Sequence, residues 1–189
     1  MRKQQISVIG GGGCDDTTPQ YKMSELIGEK LIDLGYRVIT GGLGGVMEGA
    51  LKGAKLSKAY QSGDTIGIIP GFDPKEANIY ADIVIPTGLD VYRNTIVSNS
   101  DAIIVVGGGA GTLIEAASAW SLKRPILVLE EVEGVVNQLK ISKFDERQHY
   151  EFNNKVIYFK DVSSLKVLLE ENILKYNKRH KSIRRKNKI

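Results

Sequence analysis

Three times in this chain a strand-like run empties directly into a cluster of glycines: QISVIG into residues 10–13, YRVIT into 41–45, and AIIVV into 107–111. The third run is apolar at every position, which predicts a strand covered on both faces. Glycine after such a strand lets the backbone turn with no Cβ in the way. In a parallel sheet all strand ends of one polarity lie on one edge. Three strand-end loops would therefore gather on the edge where open α/β sheets take their ligands.

The rest of the chain supports that sheet. Strands are predicted at 5–10, 36–40, 64–70, 83–86, 102–106, 125–129 and 156–159. Helices are predicted at 21–34, 46–58, 91–100, 110–122, 131–140 and 161–175. Met23, Leu26, Ile27, Leu31 and Leu34 recur at helical spacing, with Pro19 near the start and Gly35 as the stop. In 91–100 the expected inward residues are Val91, Ile96 and Val97, with Tyr92 as a further candidate. Asp161 or Ser163 is the expected cap of the last helix. Gly49 and Gly53, at i and i+4, either let the second helix lie close to a neighbouring backbone or simply weaken it. Strand–helix alternation gives the expected fold class: a doubly wound, mostly parallel α/β sheet with helices on both faces, Rossmann-like. Residues 1–176 are expected to form one domain.

Charge is unevenly placed. The chain carries +4, yet residues 172–189 hold eight Lys/Arg and no acid, so without them the balance becomes −4. The body is mildly acidic and 177–189 reads as a basic tail. That argues against a nucleic-acid-binding body; weak contact through the tail is the exception. The single cysteine, Cys14, excludes an internal disulfide and fits a reducing compartment. The basic start leads straight into a strand pattern, and no apolar run approaches a membrane span, so the expected location is cytoplasmic. His149, His180 and Cys14 have no metal-ligand spacing, so neither metal nor cofactor is expected.

The stretch from Val105 to Glu115 carries the most chemistry. Helix starts leave backbone N–H groups without partners and with partial positive charge, and a glycine loop that bares them suits a phosphate. Glu115 sits one turn in, where it could face whatever the loop holds. The same residues also read as a tight turn with Glu115 favoured by the helix dipole. Three such loops together favour a nucleotide or other phosphorylated ligand. Two familiar variants do not fit. The residues after Gly10-Gly11-Gly12 miss the dinucleotide spacing, strand 2 ends in Thr40-Gly41 with no ribose-binding acid, and there is no Gly-Lys-Ser/Thr. A redox NAD enzyme and an ATPase are thus disfavoured.

Residues 108–115, GGAGTLIE, resemble the PGGxGTxxE motif of the LOG ("lonely guy") family, once labelled lysine decarboxylases. Tyr92-Arg93-Asn94 resembles that family's Arg-Lys pair. Gly41-Gly42 through Gly45-Val46-Met47 resembles its Gly-Gly-Gly…Gly-Leu-Met loop in shortened form, and residues 64–70 its HVIGVIP strand. The resemblance spans residues 6–139, and the branch it most resembles stands beside the molybdenum-cofactor carrier proteins. It implies a phosphoribohydrolase, which splits the N-glycosidic bond of a nucleoside 5′-monophosphate into base and ribose 5-phosphate.

Under this resemblance Arg93 and Glu115 are the catalytic pair. A carboxylate can stabilise charge developing on the ribose and can position or deprotonate water. The phosphate would sit among Gly11, Gly12, Gly42, Gly44, Gly45, Met47, Gly108, Gly109, Ala110, Gly111 and Thr112. The chain departs from the motif at two points: Gly107 stands for the leading proline and Asn94 for the lysine. Those departures favour the alternative, a non-catalytic carrier or sensor of a nucleotide or of molybdenum cofactor. Family members associate as dimers or dimers of dimers, so a homodimer or homotetramer is expected. Trp120 and Leu122 are candidates for the contact, with Trp120 equally readable as core.

Overall fold

In the computed structural model, which describes residues 2–145 and 155–177, seven parallel strands form one sheet. They are β1 (Gln5–Gly10), β2 (Arg37–Thr40), β3 (Thr65–Ile69), β4 (Ile83–Pro86), β5 (Ala102–Val106), β6 (Ile126–Leu129) and β7 (Ile157–Phe159). The order across the sheet is β4-β3-β2-β1-β5-β6-β7. The chain winds outward from β1 to β4, then returns to lay β5 on the free side of β1. The β1/β5 seam is therefore the point where the winding reverses, the usual ligand crevice of such sheets.

The fully apolar strands are explained by two cores. On β1, Ile6 and Val8 face one and Ile9 the other; on β5, Ala102, Ile104 and Val106 alternate with Ile103 and Val105. One core is closed by α1 (Pro19–Asp33), α2 (Val46–Leu56) and α6 (Leu165–Asn177). The other is closed by α4 (Ala110–Ser121) with the short α3 (Asn94–Val97) and α5 (Val135–Gln138). Helices on both faces of a parallel sheet are the Rossmann-like arrangement expected. Thr18 caps α1 by accepting from the Tyr21 amide, with Pro19 at the first helical position. Asp161 accepts from the Ser163 amide ahead of α6.

Gly49 and Gly53 are there for close approach. A Cβ on Gly53 would collide with the Glu25 carbonyl across the α1–α2 contact, and one on Gly28 with that of Ala50. The two helices thus meet backbone to backbone.

Two expectations need correction, and a third reading, left open, is decided. The helix expected over 91–100 is a 3₁₀ turn (Asp90–Arg93) running into four-residue α3. Its inward side is Arg93, Asn94, Val97 and Ser98, while Val91 and Ile96 are exposed. The helical period holds, but polar groups that find partners inside take the inward face. Second, the helix expected over 131–140 is only α5. Gly134 lies against Gly107, and the Val135 amide donates to the Gly108 carbonyl, so the chain just before α5 runs extended over the glycine turn. Third, Trp120 is core. It is buried, its ring centroid is 5.9 Å from that of Phe144, and its Nε1 donates to Asp145. Among the described residues no helix is long and apolar enough to cross a membrane. The basic tail beyond Asn177 and residues 146–154 lie outside the described residues.

Candidate functional site

The carboxyl ends of β1 and β5 hold the site. Gly10 pairs with Val106 across the seam. Beyond Val106 the backbone turns through Gly107 (φ +63°) and Gly108 (φ +88°) into Gly109 and α4. Both φ values lie in the left-handed region that glycine tolerates best. No side chain caps α4. Its first internal bond from this end runs from the Leu113 amide to the Gly109 carbonyl. The amides of Ala110, Gly111 and Thr112 are therefore left without an intrahelical acceptor.

A cleft of about 220 Å³ opens beside these amides. Gly10, Gly11 and Gly12 form one wall; Gly109, Gly111 and Thr112 form the opposite one. Met47, Arg93, Asn94 and Glu115 complete the lining.

Arg93 and Glu115 meet there although 22 residues apart in sequence. Arg93 Nη1 lies 3.3 Å from Glu115 Oε1 and donates at 3.0 Å to Asn94 Oδ1, while Nη2 donates at 3.3 Å to the Gly41 carbonyl. Both residues are over nine-tenths buried. Ser98, fully buried, lies within hydrogen-bond distance of the carbonyls of Asn94 (2.7 Å) and Glu115 (2.9 Å), which ties α3 to α4 at the pair. Burial pushes the Glu115 carboxyl up to about 7, with Arg93 opposing the rise. Burial also lowers Arg93, against the pull of Glu115. Arginine nonetheless stays charged at neutral pH. Arg93 Nε is buried and has no hydrogen-bond partner in the protein. An orphaned donor on a charged group is costly, so the pair is held in place at some expense.

Of the residues singled out from sequence, Arg93, Glu115, Gly11, Gly12, Met47, Gly109, Gly111 and Thr112 line this one cleft. Gly42, Gly44, Gly45, Gly108 and Ala110 do not. Gly42 (φ +75°) faces Gly67 and Ile69; Gly45 (φ +67°) is wedged against Gly11 and Gly12; Gly44 lies beside the Gly12 carbonyl; Gly108 sits beneath the Thr112 side chain. Sequence reasoning passed over Gly10 and Asn94 as lining residues. Gly10 closes a strand pattern and gives no separate signal; Asn94 stood beside Arg93, but only as a departure from a motif. Among the described residues no group of three His, Cys, Asp or Glu is placed to hold a metal ion.

Comparison with known proteins agrees with the geometry in kind. An uncharacterised protein of Archaeoglobus fulgidus is 42% identical over 150 residues, covering 72% of this chain and 95% of its own. The molybdenum cofactor binding protein of Rippkaea orientalis superposes with a TM-score of 0.75 at 33% identity, covering 90% of this chain and 98% of that one. The molybdenum cofactor carrier protein of Chlamydomonas reinhardtii does so at 0.73 and 30% identity, covering 92% and 99%. Residues 3–165 match the SLOG cluster4 family. With nearly the whole sheet inside that match and the glycine-bounded cleft at its seam, the chain belongs to the SLOG cluster4 family, within the LOG-like superfamily.

Proposed function

We propose that this protein binds a phosphorylated small molecule in the β1/β5 cleft and acts as its carrier, with molybdenum cofactor as the leading cargo. The observation that carries this reading is the cationic Arg93 in the lining of the cleft, beside the bare amides at the start of α4. A phosphate there would accept from both the helix start and the guanidinium, the charge-assisted arrangement that anions favour. The 30–33% identity to two proteins described as binding or carrying molybdenum cofactor supports the same choice of cargo. The test is calorimetry with inorganic phosphate, nucleoside monophosphates and released molybdenum cofactor. Cofactor binding that Arg93→Ala weakens at least tenfold supports the reading; no heat with any of the three removes it.

One observation favours a second reading, cleavage of nucleoside 5′-monophosphates to base and ribose 5-phosphate. A carboxyl near 7 populates both protonation states at neutral pH, so Glu115 can either protonate a departing base or activate water. Chromatography for free base decides it: turnover lost in Glu115→Gln supports hydrolysis, and silence across purine and pyrimidine monophosphates excludes it.

We also propose that two copies associate, and not through Trp120. The exposed apolar residues Leu89, Val91, Tyr92, Ile96 and Ile114 lie on the segment and helices that carry Arg93 and Glu115. A cluster of that kind suits a self-contact. Light scattering that returns a dimer or tetramer mass, reduced by Tyr92→Glu, supports this; a monomer mass overturns it.

A further inference from the structure

The second glycine cluster lies at the carboxyl edge with the other two, yet its first member does something different from cradling a ligand. The Arg93 guanidinium lies directly on Gly41. A Cβ built there would stand 2.5 Å from Nη2 and 2.7 Å from Nη1, and 2.6 Å from Met47 Sδ. Nη2 also donates to the carbonyl of the same residue. Gly41 is not among the residues in the left-handed region, so no left-handed strain asks for glycine there. The missing side chain is needed for the space that Arg93 and the end of Met47 fill.

The geometry points to Gly41 as the positioning residue of the site, an empty seat that lets the arginine lie flat and reach Glu115. This rests on the reading of Arg93 and Glu115 as the working pair. With the seat filled, the guanidinium must lift off and release both the Gly41 carbonyl and the 3.3 Å contact with Glu115. Met47 presents only the far end of a flexible side chain and can swing aside. Glu115 registers the change without any ligand. The elements packed on α4 are α3, α5, β1, β5 and β6, and none carries a titratable side chain. On the turn leading into α3, Arg93 is the charge acting on Glu115.

The experiment is a ¹³C NMR titration of the Glu115 carboxyl in the unliganded protein, assigned by Glu115→Gln. Arg93→Ala should move the midpoint upward, because the charge that opposes burial is gone. Gly41→Ala should move it the same way by a comparable amount. Combining the two should move it no further, since with Arg93 removed only the flexible end of Met47 is left in the seat. Gly41→Ala with Met47→Ala should stay shifted. Gly42→Ala is the control: it strains a left-handed residue against Gly67 and Ile69, so it should lower the melting temperature yet leave the midpoint alone. A wild-type midpoint in Gly41→Ala overturns the assignment, as does a double variant shifted beyond Arg93→Ala. If Gly41→Ala alone fails to fold, recovery of folded protein in the Arg93→Ala double supports the seat, and equal failure contradicts it. Each outcome stands whether or not any cargo or hydrolysis is found, so loss of the proposed function would not be mistaken for loss of this one.

Discussion

The glycine loops after β2 and after β5 look alike in sequence, yet they differ in where they open: Gly107 and Gly108 are packed on by Glu133 and Thr112, while the glycines beyond them face the cleft. After β5, Gly109 and Gly111 have nothing within 4 Å of where a Cβ would be; their openness faces the cleft. After β2, Gly41, Gly42 and Gly45 are packed on by protein atoms, and none of the three lines the cleft. The outer part of one loop keeps side chains out of the cleft. The other keeps them out of the protein's own way. A glycine cluster at a strand end is therefore evidence for close approach, and only the neighbours say by what.

Breaking the packed loop should have the largest effect. Gly45→Ala puts a Cβ into the Gly11 carbonyl from a left-handed backbone, displacing the wall of residues 10–12 as well. A loss of about 3 kcal/mol or more is expected, read as a fall in the denaturant midpoint. A near-neutral result would mean that the two loops are not distinguished by packing.

The next effect comes from the buried carboxyl. The folded state raises Glu115 from an ordinary carboxyl value to about 7, so it holds its proton more tightly than the unfolded chain does. That contribution to stability is fully present in mild acid, below the unfolded value, and is lost as pH rises through about 7. Its size is on the order of 3–4 kcal/mol, because each tenfold gain in proton affinity is worth about 1.4 kcal/mol. Urea melts from about pH 5 to 8 should show wild-type stability falling as the carboxyl ionises, and Glu115→Gln should flatten that fall. An unchanged slope would show Glu115 ionised throughout.

The smallest effect sharpens the comparison most. Gly111→Ala lies in α4 with open space around it, so the helix should gain about 0.5–1 kcal/mol. The same methyl intrudes on the cleft wall, so affinity for a phosphorylated ligand should fall while the melting temperature rises. If both improve together, the wall is not a contact surface.

Much of the fold was legible because burial on both faces leaves its mark: AIIVV and ILVL are apolar at every position, and strand–helix alternation follows from parallel pairing. The boundaries of β1 and β5 emerge as read. The Arg93–Glu115 encounter was legible only through the spacing of a motif, since no local pattern joins residues 22 apart. What stayed hidden depends on tertiary neighbours. Asn94 and Ser98 turn inward because Arg93 and Glu115 offer partners there, which a hydrophobic count assigns instead to Val91 and Ile96. Residues 131–134 cannot be helical because they cross the glycine turn after β5, a constraint written elsewhere in the chain. Gly41 and Gly45 read the same in sequence; Arg93 lies on one and Gly11 and Gly12 on the other.

The proposed role stands on a cleft that sets the Arg93 guanidinium beside the bare amides at the start of α4. Calorimetric titration of released molybdenum cofactor into the wild-type protein and into Arg93→Ala, both confirmed folded, tests it most directly. Saturable one-site binding that weakens at least tenfold in the variant is the expected result; equal affinity in the two proteins would place the ligand away from Arg93 and contradict it.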